Sequence, residues 1–376
     1  MNKPKIYFIV TVEFAVKAFL LHHLKKLSNF YDLTVVTKTS DSKFLIKRGI
    51  KAKVIPLKLF RNVNLIFDLY CLIYLFYLFV KHRPAAVHSL TPKAGLLAML
   101  ASYLAFVPLR VHTFTGQVWI CKKGWKRFLL KLVDIWIGRL TKFNIVDGHS
   151  QRDFLVKNKI LSLKKTLVFA NGSVAGIDIK KFKFNRQAFT SIRKELFIPL
   201  NSFVILYLGR LHLDKGVLDL AKAFQRIKSK KLYLVFLGPD ESFLKNSIIN
   251  ICKYKINNVR IIDYSENVER YLVGADILCL PSYREGFSQS IIEAAAMKIP
   301  CIASNIYGIK DSVVDKKSGL LHKVKSINSI IKGINFFLKN PHKKYIYGQY
   351  AMKRAYKNFD QEIISNEWIV FYKKHI

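Results

Sequence analysis

Twelve short runs of aliphatic, β-branched and aromatic residues punctuate the chain, each set off from the next by a stretch long enough for a helix. Seven occupy residues 5–10, 33–37, 54–56, 86–88, 109–113, 143–147 and 166–169; five more occupy 203–208, 232–237, 259–262, 277–280 and 301–303. Strands that alternate with helices join through right-handed crossovers into parallel sheets covered by helices on both faces. Between the two series the text turns irregular and basic, with Lys180, Lys181, Lys183 and Arg186. The expectation is therefore an α/β chain of two doubly wound, Rossmann-like domains facing a cleft. Their bounds are 1–175, a linker at 176–200, and 201–357. The stretch 358–376 reads as a helix that packs back on the first domain, with Ile363, Ile364, Trp368, Ile369, Phe371 and Tyr372 as its apolar face. In such sheets ligands sit beyond the carboxyl ends of the strands.

Charge narrows the partners. Among 376 residues there are 63 Lys and Arg against 24 Asp and Glu, a formal net charge of +39, yet 51% of the chain is hydrophobic. So much apolar content excludes a disordered polycation. The anionic partners that suit such a surface are nucleic acid and an acidic membrane leaflet. The five cysteines are scattered with no CxxC pair, which fits a reducing compartment rather than a disulfide or zinc scaffold. The apolar run at residues 6–10 is too short for a signal-peptide core and reads as a first strand. Residues 65–80 form an apolar run broken only by Asp68, and 95–107 a shorter one; a bilayer span needs about 20 residues. Both read first as buried helices of a large domain, with a helix lying on a membrane surface as the alternative. The cluster Lys122, Lys123, Lys126, Arg127 and Lys131 reads as a solvated helix face.

Two segments carry chemistry. Residues 207–216, YLGRLHLDKG, end a strand in Gly209 and Arg210 and place Lys215 just before a helix. A forked guanidinium, a point charge and a glycine that admits backbone amides together suit a diphosphate. Residues 280–296, LPSYREGFSQSIIEAAA, place Glu285 in a loop and Glu293 on the following helix, on the order of 10 Å further along at 1.5 Å per helical residue. One carboxylate can hold ribose hydroxyls and the other hexose hydroxyls, while Gly286 and Phe287 aim amides and the helix dipole at an anionic or sugar oxygen. Alone, each of these residues reads equally as an ordinary surface cation or helix charge. In the first half, His112 ends a strand and is followed by Thr113, Thr115, Gly116 and Gln117, so it is either a ligand contact or a hydrogen-bonded structural residue.

Arg210 with Lys215 five positions on, and Glu285 with Glu293 eight positions on, resemble the donor-site motifs of the GT-B, family 4 retaining glycosyltransferases. The segments PKAG at 92–95, HTFTGQVW at 112–119 and NGS at 171–173 resemble a bacterial subgroup that builds O-antigen, capsule or related lipid-linked glycans. The resemblance implies transfer of a hexose or N-acetylhexosamine-type sugar from a nucleotide donor, UDP by family expectation, to a polyprenyl-diphosphate-linked glycan. It implies that Arg210 and Lys215 bind the donor diphosphate and stabilise the leaving nucleotide, that Glu293 holds the ribose, and that Glu285 holds the transferring sugar. His112 would then face the donor sugar. Attack would proceed on the front face of a short-lived oxocarbenium-like ion pair, with the leaving phosphate taking the acceptor's proton. Lys93 and Thr115 are acceptor-side candidates. So is Glu13, because residues 11–17 read TVEFAVK where many relatives carry a glycine-rich turn. No metal is expected, for the sequence holds no Asp-x-Asp, HExxH or Cys/His cluster, and two cations can do the electrostatic work of a Mg²⁺ ion.

The alternatives are a basic nucleic-acid-binding protein, against which the absence of reading motifs weighs, and an inactive membrane-bound scaffold, against which the intact four charged residues weigh. The expected placement is cytoplasmic, peripheral on the inner face of the membrane, where the positive surface and the helix at 65–80 meet an anionic leaflet.

Overall fold

Residues 6–10 are apolar at consecutive rather than alternate positions, the pattern of a parallel strand covered on both faces, and all five are nearly inaccessible. The computed structural model describes residues 3–60 and 63–376; Met1 and Asn2, at the head of the N-terminal reading, lie outside the described residues. The chain divides into two compact units, one of residues 1–176 with 361–376 and the other of residues 177–360.

In the first unit the strands are β1 (Lys5–Val12), β2 (Asp32–Lys38), β3 (Ala52–Pro56), β4 (Ala86–Leu90), β5 (Leu109–Phe114), β6 (Phe143–Val146) and β7 (Thr166–Leu167). They form one parallel sheet in the order β3-β2-β1-β4-β5-β6-β7. Its helices are α1 (Glu13–Phe19), α2 (Leu21–Leu27), α3 (Leu65–His82), α4 (Pro92–Leu104), α5 (Gly124–Leu140) and α6 (His149–Lys157). Strand order reverses between β1 and β4, so a crevice opens there at the carboxyl edge.

The expectation of two buried helices holds for α4, whose Ala94, Leu97, Ala98, Met99 and Ala101 are enclosed. It fails for residues 65–80. Only Cys71, Leu75, Leu78 and Phe79 of α3 are buried, while Leu65 and Ile66 are 80% and 83% exposed. A helix apolar all round can be covered on one side only when it packs on a single sheet face, so its other side stands in water.

The second unit holds β8 (Phe203–Leu208), β9 (Leu232–Leu237), β10 (Val259–Ile262), β11 (Ile277–Leu280), β12 (Cys301–Ser304) and β13 (Gly319–His322), all parallel, in the order β10-β9-β8-β11-β12-β13. Helices α7 (Arg186–Glu195), α8 (Val217–Arg226), α9 (Lys245–Ile251), α10 (Val268–Leu272), α11 (Gln289–Ala296), α12 (Ile327–Lys339) and α13 (Pro341–Asn358) cover both faces. Arg193 of α7 is almost wholly buried yet satisfied, donating to the carbonyls of Gly274, Leu200 and Ser202 and to Asp276 at 2.8 Å. Residues 177–200 thus belong to this unit.

The last helix, α14 (Gln361–His375), closes the first unit. Trp368 lies between two imidazoles, His23 at 4.9 Å and His88 at 4.8 Å, both nearly parallel to it. His23 bonds Ser365 and the Val174 carbonyl; His88 bonds the Tyr372 hydroxyl and Thr113. Burial drives the His23 pKa down to about 3 and that of His88 well below its ordinary value, so both rings are neutral.

Candidate functional site

Strand order in the second unit reverses between β8 and β11, and the two charged segments are the loops that leave these two strands. After β8 the chain passes through Gly209 and Arg210 into a single turn at Leu213–Lys215, and Gly216 opens α8. The Tyr207 hydroxyl donates to the Arg210 carbonyl at 2.7 Å, which fixes the bend. Gly238, after β9, stands so close that a Cβ there would lie 2.1 Å from the Gly209 carbonyl oxygen.

The second loop, residues 281–288, is stitched to the first at three points. Lys215 Nζ meets Glu285 Oε1 at 2.7 Å, Arg284 Nη2 donates to Asp214 Oδ2 at 2.7 Å, and the Tyr283 amide donates to the Asp214 carbonyl at 2.8 Å. Tyr283 also donates its hydroxyl to Asp219 on α8. Residues seventy positions apart therefore converge on one edge of the sheet. From the far side Gly308, at φ +79°, presses on the backbone: a Cβ would lie 2.4 Å from the Gly286 carbonyl oxygen and 2.7 Å from that of Glu285. Phe287 turns its ring away onto Phe359, 5.3 Å between centroids, and α11 begins only at Gln289.

Positive charge in this edge is held in balance. Lys215 and Glu285 are each mostly shielded and neutralise one another, and Arg210 is paired with Glu241, which follows β9. Burial opposes the charge of Asp214, but Arg284, Lys215 and His212 hold its carboxyl below the usual range. Glu293, on the second turn of α11, is the reverse case. Burial lifts its pKa to about 7 against the pull of Lys181 and a hydrogen bond with Gln289. Asp214, Arg284, Glu241 and Gly308 escaped sequence reasoning. Asp214 and Arg284 stood inside the quoted segments, whereas Glu241 and Gly308 gave no signal without the fold. Among the described residues no cluster of three or more His, Cys, Asp or Glu side chains is placed to hold a metal ion.

The remaining residues named from sequence lie in the first unit. Glu13 begins α1 right after β1, paired with Lys17 at 2.8 Å and accepting from Thr39; Lys93 sits in the first turn of α4 right after β4, paired with Asp68 of α3 at 2.6 Å. Both therefore flank the β1/β4 reversal, where the Thr11 and Thr91 hydroxyls are hydrogen-bonded. His112 is enclosed. Its Nδ1 meets the Ser89 hydroxyl at 2.7 Å, its ring lies edge-on to Phe114, and a Cβ on Gly95 would lie 2.5 Å from it. Burial pushes its pKa down to about 3, so the ring is neutral. Thr115, just past β5, offers its carbonyl to the amides of Gln117 and Gln151.

Comparison with known proteins shows what the chain is similar to. Residues 188–354 match the family model described as Glycosyl transferases group 1. The chain is 29% identical, over 98% of its length and 96% of the relative's, to the capsular polysaccharide biosynthesis glycosyltransferase CapM of Staphylococcus aureus. It is 28% identical, over 87% of each chain, to the UDP-Gal:alpha-D-GlcNAc-diphosphoundecaprenol alpha-1,3-galactosyltransferase of Escherichia coli. Among solved structures, Anabaena Alr3699/HepE in complex with UDP and glucose superposes with a TM-score of 0.82 at 18% identity, covering 99% of this chain and 100% of that one. Its two doubly wound parallel sheets are those of the GT-B fold, and within the second unit residues 188–354 are similar to the glycosyl transferases of group 1.

Proposed function

We propose that this chain is a family 4, retaining enzyme that moves a hexose or N-acetylhexosamine-type sugar from a UDP donor to a polyprenyl-diphosphate-linked glycan in bacterial surface polysaccharide synthesis. The observation that carries the reading is the convergence of Arg210, Lys215 and Glu285 on the β8/β11 reversal. A diphosphate arriving there meets two cations whose present partners are carboxylates, so it replaces Glu241 and Glu285 as their counter-charge. Glu285, released from Lys215, accepts from the sugar's hydroxyls. As the glycosidic bond breaks, negative charge grows on the leaving phosphate, and Arg210 and Lys215 stabilise it where it develops. Amides of Gly286 and Phe287 add neutral donors at the same edge, Gly209, whose own amide is bonded to the Leu237 carbonyl, leaves the turn bare of a side chain for the diphosphate, and Glu293 holds the ribose. His112, its ring neutral beside the Ser89 hydroxyl, faces the donor sugar as a hydrogen-bonding group and carries no charge to it. Glu13 and Lys93, beside the β1/β4 reversal, serve the acceptor. UDP in the Anabaena complex and the diphosphoundecaprenol acceptor in the Escherichia coli relative's name support the choice of substrates. Such an acceptor is anchored in a bilayer, which suits peripheral action at the cytoplasmic face by a protein of charge +39.

The test is a thermal-shift series with UDP, GDP and their sugar conjugates on the wild type and Lys215→Ala. A ligand at a hundred times its Kd stabilises by about 2.7 kcal/mol, so UDP conjugates raise Tm in the wild type and not in the variant. No shift with any nucleotide, together with salt-sensitive binding to RNA, would refute the reading.

A further inference from the structure

The outer face of α3 is a continuous apolar stripe. At 100° per residue, Leu65, Leu69, Ile73, Phe76, Tyr77 and Val80 fall within one arc, all of them exposed, and the opposite face is buried in the core. Helix α5 repeats the pattern. Trp125, Phe128, Leu129 and Trp136 are exposed on one side, while Asp134, Ile137 and Gly138 face inward, Asp134 accepting from the Trp119 indole at 2.8 Å. Helix α4 lies between the two and contacts both, and the buried sides of all three join one core cluster with Tyr7, Ile9, Val36 and Val87 of the sheet. Helices lying side by side on one sheet face expose only the faces turned away from it, so the two stripes look outward together. Soluble monomers seldom leave so large an apolar surface uncovered.

We infer that α3 and α5 form a two-helix platform that lies in the headgroup region of an anionic bilayer without crossing it. Crossing is excluded for α3 because Cys71, Leu75, Leu78 and Phe79 are committed to the protein core. Charge selects lipid over a second copy of the chain. Residues 65–82 and 121–140 hold Lys81, Lys122, Lys123, Lys126, Arg127, Lys131 and Arg139 against two acids, Asp68 and Asp134. Of these two, Asp68 is paired with Lys93 and Asp134 is buried. An isologous contact would set this positive rim against itself, whereas acidic headgroups neutralise it. Aromatic side chains interleaved with lysine and arginine are the composition of helices that rest in a bilayer interface. The inference rests on the proposed action at a lipid surface and adds which helices make the contact and how deeply they sit.

The protein carries its own reporters. Of its four tryptophans, Trp119 and Trp368 are buried, and Trp125 and Trp136 stand on the outer face of α5. The full chain is mixed with vesicles of equimolar phosphatidylcholine and phosphatidylglycerol, or of phosphatidylcholine alone. Binding is read by sedimentation, and indole burial by emission wavelength, acrylamide protection and quenching by brominated acyl chains. The expected result is binding to the anionic vesicles, extractable by alkaline carbonate, with a blue shift that is lost in Trp125→Phe/Trp136→Phe. In Ile73→Asp/Trp136→Asp each change removes the burial of one large apolar side chain, so vesicle partition falls about tenfold or more. The UDP thermal shift is retained, which shows that the fold survives. Sedimentation with both exposed indoles still open to acrylamide, resistance to carbonate, or self-association at this face without lipid would each overturn the platform. A chain that binds UDP but no vesicle would overturn it and leave the transferase reading standing.

Discussion

Replacing Gly308 with alanine adds one methyl group where the backbone of the 285–286 loop already stands. The new Cβ lies 2.4 Å from the Gly286 carbonyl oxygen and 2.7 Å from that of Glu285, neither of which can swing aside as a side chain would. Two costs combine. An alanine at φ +79° loses about 1 kcal/mol to backbone strain, and relieving the overlap by moving backbone costs about 1–3 kcal/mol more. Gly49 isolates the first cost, since its φ is +70° and a Cβ there meets nothing within 4 Å. At about 2–4 °C per kcal/mol for a unit of this size, Gly49→Ala lowers Tm by roughly 3 °C and Gly308→Ala by on the order of 10 °C. The displaced loop carries Glu285, so UDP-sugar affinity measured by calorimetry falls about tenfold, or 1.4 kcal/mol, in Gly308→Ala alone. Equal melting points for the two variants, or unchanged donor affinity in Gly308→Ala, would refute the claim that Gly308 sets the loop.

Two pH effects follow from burial. Glu293 titrates near 7 because burial raises its pKa, so affinity for a UDP-sugar, whose diphosphate does not titrate in this range, rises between pH 6 and 8 and becomes flat in Glu293→Gln. Affinity that falls over that window would remove Glu293 from the ribose site. The same shift makes the native carboxyl bind its proton more tightly than the unfolded one, so its contribution to stability is lost as pH rises from about 4.5 toward 7. His23, His88 and His112 act in the opposite direction. They are neutral in the native state with lowered pKa values, so their contribution is complete above the ordinary imidazole value of 6.5 and is lost as pH falls below it. The slope reaches about 4 kcal/mol per pH unit for three such groups. Melting of the first unit at pH 5 should come well below that at pH 7.5, and a flat profile would show that the rings accept protons in place.

The two doubly wound sheets were legible because parallel strands buried on both faces leave unbroken apolar runs, as at 6–10 and 203–208. Strand β13 was missed: it is four residues long at the sheet edge, and its burial is uneven. Arg210, Lys215, Glu285 and Glu293 stood out through their spacing within two segments, which resembles a family's donor-site motifs, since each alone reads as an ordinary surface charge. Their partners did not. The pairing of Arg210 with Glu241 and of Arg284 with Asp214 depends on which strands are neighbours, which spacing along the chain does not encode. The exposure of α3 was hidden for a different reason: an apolar helix reads alike whether protein or lipid covers it.

The placement of α14 bears on the order in which the protein is made. The first sheet is synthesised before the second unit, but the slot between His23 and His88 is filled by Trp368, which emerges after residue 360. The nascent chain therefore carries an open first unit through the whole synthesis of the second, which can fold as a continuous segment in the meantime. During that interval an apolar groove stays open, and His23 and His88 keep their bonds to Val174 and Thr113 but lack Ser365 and Tyr372. The later-made unit is the first to be finished, and the earlier one waits for a single helix to close it.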